Sequence, residues 1–254
     1  MAHSYNKLFF DYMERGSRAS ARQILPLLAS DLPIRSVLDV GCGRGSWLAE
    51  WIERGVNDVC GVDGEYVGQG LLTIPRHTFQ AQNIAQSFDL HRQFDLVHCL
   101  EVGEHVPTSH SEALVDNLIR HGTIILFSAA TPGQGGEFHV NEQPLSFWRT
   151  IFRSRGYLPF DYVRSAIALD KLVQPWYRYN MLLYVHQYRI ASLPVTVAAT
   201  QIPDDTPIPE MTPWVWRLRC ELLKNFPTNT VSRLAVIKHY LFVALFGSDR
   251  RVGK

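Results

Sequence analysis

The tightest constraint in this chain is a glycine-punctuated turn joining two apolar runs, Ser36-Val-Leu-Asp39-Val-Gly41-Cys-Gly43-Arg-Gly45-Ser46. Ser36 to Val40 is a short apolar run stopped by glycine, the pattern of a strand buried on both faces. Ser46 to Arg54 has helical spacing and ends at Gly55. A strand that turns through alternate glycines into a helix belongs in an α/β sheet. There the glycines let the backbone approach a ligand at the strand's carboxyl end. A dinucleotide site would continue as G-x-G-x-x-G and seat phosphate on the helix N-terminus. Here the last of those positions is Ser46, and Asp39 stands just before the loop. A carboxylate there repels pyrophosphate and suits a ligand bearing an ammonium and a sulfonium.

The alternation of strand and helix continues. Ser20–Ser30 reads as a helix, Asp58–Val62 and Phe94–Leu100 as strands, and Ser109–Arg120 as a helix whose Ser109 and Glu112 form a capping box. Thr123–Ser128 is a further strand. Gln143–Arg155 is a helix with Pro144 in its first turn, Gly156 past its end and Leu145, Trp148, Ile151 and Phe152 on one face. Arg178–Gln187 reads as a late strand. This order predicts a doubly wound, mostly parallel sheet covered on both faces. Asp63 ends the second strand, 24 residues after Asp39, where an acid can accept hydrogen bonds from both ribose hydroxyls.

With VLDVGCGRG, GVDGEY and FDLVHCLEVGEHVP in this order, residues 17–188 resemble the class I S-adenosylmethionine-dependent methyltransferases. The resemblance implies a Rossmann-like seven-stranded sheet and S-adenosylmethionine as cofactor. It implies that Asp39, Gly41 and Gly43 line the methionine end, that Asp63 holds the ribose with Gly64 beside it, and that Leu100 forms part of the floor. Asn83-Ile84 matches the adenine position, where the family often has Asp.

A second constellation follows the fourth strand motif: Glu101-Val-Gly-Glu104-His105-Val-Pro107. Pro107 limits this stretch to about one helical turn, on which positions i, i+3 and i+4 face one way. Two carboxylates and an imidazole crowded together repel unless a cation joins them. Glu and His together suit Mn, Fe, Co or Zn, and Mg less well. The next crossover, Thr131-Pro-Gly-Gln-Gly-Gly-Glu-Phe-His139-Val-Asn-Glu142, is a loop that can bring His139 to the same place. The pattern is similar to the metal-dependent 2′-O-methyltransferases of small-RNA 3′ ends. Its E-x-x-E-H part is also similar to the ubiquinone-pathway O-methyltransferases. Those resemblances imply metal ligands at Glu101, Glu104, His105 and His139. E-H-x-P also occurs in methyltransferases that use no metal. In that case His105 or His139 is the general base, and Glu142 orients the histidine in either case.

Trp176, Tyr177 and Arg178 read either as an acceptor-side stacking and anion-gripping group or as packing at the sheet edge. Five prolines in residues 194–213 predict a linker without regular elements. It divides a domain at 1–188 from a helical appendage at 214–254, in which Thr230–Phe246 is a helix candidate with an apolar end. That helix would be buried in its own domain or in a homodimer, or docked on a membrane surface through its basic flanks. The chain carries net charge −3 through Tyr188 and +4 beyond it, so +1 in all, which disfavours a general nucleic-acid partner. Four unpaired-looking cysteines, a start with no apolar signal core and no apolar run of eighteen predict a cytoplasmic protein. The sequence therefore points to O-methylation of a small molecule, such as a sugar, glycan or secondary metabolite. Two alternatives stand beside it: 2′-O-methylation of an RNA 3′ end, and a cofactor-binding scaffold without turnover.

Overall fold

A computed structural model describes residues 7–67 and 71–226, and Thr230. Most of the Thr230–Phe246 helix candidate lies outside the described residues. Among the described residues, the strands are β1 (Ser36–Val40), β2 (Asp58–Asp63), β3 (Phe79–Ala81), β4 (Leu96–Leu100), β5 (Ile124–Ser128), β6 (Tyr157–Phe160) and β7 (Leu182–His186). They form one sheet in the order β3-β2-β1-β4-β5-β7-β6. β1 to β5 are parallel, while β7 lies antiparallel between β5 and β6. The helices are α1 (Lys7–Asp31), α2 (Ser46–Glu53), α3 (Ser111–His121), α4 (Leu145–Arg153), α5 (Tyr162–Ile167), α6 (Pro175–Asn180), α7 (Val195–Ala198) and α8 (Trp214–Leu223).

Alternate residues of each strand point to opposite faces, so a strand buried on both sides feeds two cores. Ile124 and Leu126 join a core with α1, α2, α5 and α6, whereas Ile125 and Phe127 join a second core with α3 and α4. Leu183 and Val185 likewise separate from Leu182 and Tyr184. The doubly wound, seven-stranded, mostly parallel sheet is as expected. No helix among the described residues is long and apolar enough to cross a membrane.

Several local readings change. α1 begins at Lys7 rather than Ser20. Its added turns carry Arg18, which with Arg22 from the expected part grips the buried Glu50 of α2 at 2.7 and 3.1 Å. The capping box is absent: Thr108–His110 is a short 3-10 turn, α3 starts at Ser111, and no side chain caps it. Arg178–Asn180 is helical, because Pro175 at the first position starts α6 there. β6 was missed. Its Pro159 is tolerated because the strand is an edge, and the Ile202 N–H bonds the Pro159 carbonyl at 2.9 Å. The proline-rich stretch is not devoid of regular elements, since α7 forms behind Pro194.

Candidate active site

The chain leaves β1 toward one edge of the sheet and returns to β4 beside it before running toward the other edge. Ligands of such sheets bind at this reversal, outside the carboxyl ends of the strands. Asp39 of β1 is in register with His98 of β4, so the Gly41 loop and the Glu101 segment emerge side by side.

The first segment is shaped by backbone. Gly41, Gly43 and Gly45 have φ of +82°, +53° and +88°, in the left-handed region that side chains disfavour. A Cβ at Gly41 would stand 2.3 Å from the Val102 side chain, so only glycine lets the two segments close on each other. The Asp63 carboxylate accepts the Gly43 and Gly64 N–H groups at 2.7 Å each, and also the Tyr66 hydroxyl. Burial pushes the Asp63 carboxyl up, against those three donors. Asp39 is buried, and its carboxyl is pushed up to about 7 by burial and then by the charge of Asp63. Leu100 is buried at the end of β4. Asn83 is exposed beyond β3 and accepts the Ala85 N–H at 3.1 Å; Ile84 is half-buried beside it.

The second segment departs from the expected helical turn. Glu101 adopts φ +57°, and Gly103–His105 forms a 3-10 turn. The left-handed residue takes Glu101 off the common face, yet the charge of its carboxylate still raises the Glu104 carboxyl. The Glu101 N–H bonds the Ser128 carbonyl at 2.9 Å, and Glu101 Oε2 accepts from Gln134 at 2.9 Å. Donor atoms of Glu104, His105 and His139 lie within 4.8 Å of one another; Glu101 falls outside that set. The His105 and His139 rings stand 5.0 Å apart and nearly perpendicular.

The loop that delivers His139 is organised by Glu142. Its carboxylate accepts the Gly133 and Gly135 N–H groups at 2.7 Å each and His139 Nδ1 at 2.8 Å. Burial pushes Glu142 up, but those donors win and hold it below the usual carboxylate range. With Nδ1–H donated to Glu142, Nε2 of His139 keeps its lone pair. A Cβ at Gly136 would meet that ring at 2.2 Å, so the loop can wrap His139 only with glycine there.

Burial, and then Glu101, drives the Glu104 carboxyl well above its ordinary range. Burial likewise raises Glu101. His105 is pushed down by desolvation of its ring and by His139, although its outer edge meets solvent. Glu101 Oε1 and Glu104 Oε2 are buried without a hydrogen-bond partner. Two orphaned carboxylate oxygens beside two imidazoles fit a divalent cation: hard and borderline donors together, with the repulsion between them relieved.

A family described as a methyltransferase domain matches residues 12–181. The chain belongs to that methyltransferase family. It is 32% identical over 132 residues to a ubiquinone biosynthesis O-methyltransferase of Acinetobacter baumannii, covering 47% of this chain and 49% of that one. The chain thus spans about half the length of the curated relatives it matches. Among solved structures it resembles the sugar N-methyltransferase KedS8 from Streptoalloteichus, with TM-score 0.56, 19% identity, and coverage of 73% of this chain and 94% of that one. It also resembles the magnesium protoporphyrin IX methyltransferase of Synechocystis, with TM-score 0.50, 22% identity, and coverage of 74% and 87%. At these identities the structural likenesses speak for the fold.

Within this methyltransferase domain, the remaining histidines stand apart from the site. His98 is buried and accepts from Trp51 Nε1 at 3.3 Å, and His121 is buried with both nitrogens bonded. His77, His91 and His110 are exposed. Tyr177 packs in the core against Trp47. Sequence reasoning assigned no role to Gln134 or Asn180. Asn180 Nδ2 donates to Gln134 Oε1 at 2.7 Å, and Gln134 in turn holds Glu101. Gln134 lies in the loop expected to bring His139 to the site and Asn180 two residues past Arg178, but nothing local pairs them.

Proposed function

We propose that the chain transfers the methyl group of S-adenosylmethionine to a hydroxyl of a small molecule with adjacent oxygens, such as a sugar, a glycan unit or a secondary metabolite. The observation that carries this reading is the Glu104–His105–His139 cluster, with the orphaned carboxylate oxygens of Glu104 and of the neighbouring Glu101, set directly beside the glycine loop. The ionised Asp39 would pair with the cationic methionine end of the cofactor. Asp63 would exchange the Tyr66 hydroxyl for the ribose diol, and Asn83 and Ile84 would border the adenine.

Methyl transfer is an in-line displacement that depends on positioning. The acceptor oxygen forms a bond to the methyl carbon, the carbon–sulfur bond breaks, and sulfur keeps the electron pair. The acceptor's proton must go elsewhere. With no cation bound, His139, oriented by Glu142, presents Nε2 for it; with a cation held there, that lone pair would be taken up by the cation and the proton would leave to solvent. Glu104, His105 and His139, with Glu101 behind them, would hold a divalent cation. Such a cation would supply Lewis-acid help to loss of the hydroxyl proton.

The test is Mn(II) titration followed by electron paramagnetic resonance in the presence of S-adenosylhomocysteine, together with mass-detected methyl transfer to sugar and catechol acceptors. Native protein should remove about one equivalent of free Mn(II), and His139→Ala should not. Absence of both Mn(II) uptake and methyl transfer to any hydroxyl would sink the reading.

A further inference from the structure

Next to His139 lies a cavity of about 240 Å³. One wall is the loop carrying His139 and Glu142; the other is Leu223, Lys224 and Phe226, at the carboxyl end of α8. α8 lies beyond the residues that match the methyltransferase family, yet it is fastened to this loop. The backbone at Gly133 packs so closely on α8 that a Cβ there would stand 2.1 Å from the Cys220 carbonyl oxygen. Arg219 Nη1 donates to the Gln134 carbonyl at 2.8 Å, and Gln134 in turn holds Glu101. Trp216 packs on Tyr179 with ring centroids 5.5 Å apart. Three contacts of different kinds thus fix α8 as a wall of the site.

The chemistry of the cavity is one-sided. Glu142 already accepts three hydrogen bonds, so its charge is satisfied within the loop. Lys224 is the one lysine or arginine among the described lining residues. Its Nζ is 2.5 Å from Glu221 Oε1, an exposed pair of the kind that costs little to open. Phe226 and Leu223 offer an apolar flank, and the Phe226 side chain is exposed.

We propose that this cavity is the outer half of the acceptor site and that it selects a ring-bearing acceptor carrying a carboxylate. The ring lies against Leu223 and Phe226, the carboxylate meets Lys224, and the hydroxyl to be methylated points toward His139. This inference rests on the methyltransferase reading above.

Catechol and 3,4-dihydroxybenzoate differ by one carboxylate and serve as probes. Their binding is measured by calorimetry on the full chain saturated with S-adenosylhomocysteine, for the native protein, Lys224→Gln and Phe226→Ala. The native chain should bind the acid about tenfold more tightly than catechol. Lys224→Gln should remove that preference by weakening the acid alone, and Phe226→Ala should weaken both probes by similar factors. S-adenosylhomocysteine affinity, measured first, keeps the two readings apart: its absence in the native chain breaks the methyltransferase reading. With the cofactor product bound, three results would each overturn the acceptor wall: no binding of either probe, no preference for the acid, or no effect of either variant.

Discussion

The loops after β1 and β4 lie side by side, yet they are held in shape by different means. The first is a matter of backbone: three left-handed glycines, a close approach to Val102, and Asp63 taking two main-chain N–H groups. Most of what it needs lies within the β1–α2 turn and the end of β2. The second is a matter of side chains from distant places. Glu101 and Glu104 come from after β4, His139 and Glu142 from the loop after β5, Asn180 from α6, and Arg219 from α8. A turn built from backbone is damaged only where a Cβ intrudes. A cluster built from side chains is damaged by the loss of any member, and also by the loss of whatever holds that member still.

Substitutions should therefore separate the two loops. The largest effect is expected for Gly41→Val, which meets both the left-handed φ and the Val102 side chain. It should weaken S-adenosylhomocysteine binding by more than ~100-fold and cost about 2–4 kcal/mol of stability. Calorimetry and denaturant unfolding measure these effects, and Val102→Ala in the same chain should recover part of the loss. Native-like binding by Gly41→Val would show that the loop does not shape the cofactor site.

Next comes His139→Ala. Methyl transfer should fall by about 10²–10⁴-fold, while S-adenosylhomocysteine affinity stays within about twofold of native. An equal fall in both quantities would mean that the two loops are one unit. Glu142→Gln should act on the same side but less strongly, reducing transfer or Mn(II) affinity by about 10–100-fold through a misdirected His139. Gly136→Ala should resemble it, since the new methyl would push on the His139 ring. If Glu142→Gln disturbs cofactor binding more than transfer, the assignment of the glutamate is wrong.

The smallest effect is a pH dependence. In the free protein the Asp39 carboxyl is pushed up to about 7, so the folded chain keeps its proton where an unfolded chain has lost it. This group therefore costs stability as pH rises from the ordinary carboxylate range through about 7. The ligand's ammonium favours the ionised form, so S-adenosylhomocysteine affinity should rise severalfold between about pH 6 and 8. Asp39→Asn should bind weakly and show a flat profile over that window. A native profile that is flat or falls with pH would remove Asp39 from contact with the ligand's ammonium.

Legibility in the sequence followed the same division. The Gly41 loop could be read because the glycines, Asp39 and the flanking apolar runs are contiguous and each has a local physical reason. The Glu101–His105 stretch could be read as chemistry but not as shape. An expected helical turn became a left-handed Glu101 followed by a 3-10 turn, because the Ser128 main chain and Gln134 claim Glu101 from outside the stretch. Ser109 and Glu112 looked like a cap, but the chain spends Thr108–His110 on a separate turn and starts α3 at Ser111. Arg178–Asn180 looked like strand and is helix, which is what lets Asn180 reach Gln134.

By itself the sequence determined the alternating strands and helices, the two-sided burial, the glycine turn into α2 and the residue types able to bind a charged cofactor. These depend on spacing and on backbone rules that act over a few residues. Only the tertiary structure decided that β7 enters antiparallel between β5 and β6, that Glu104, His105 and His139 form the close set with Glu101 just outside it, and that α8 walls the cavity beside them. Those outcomes depend on packing between segments far apart in the chain. No local pattern can encode them, because the energy that chooses among them exists only once both partners are in place.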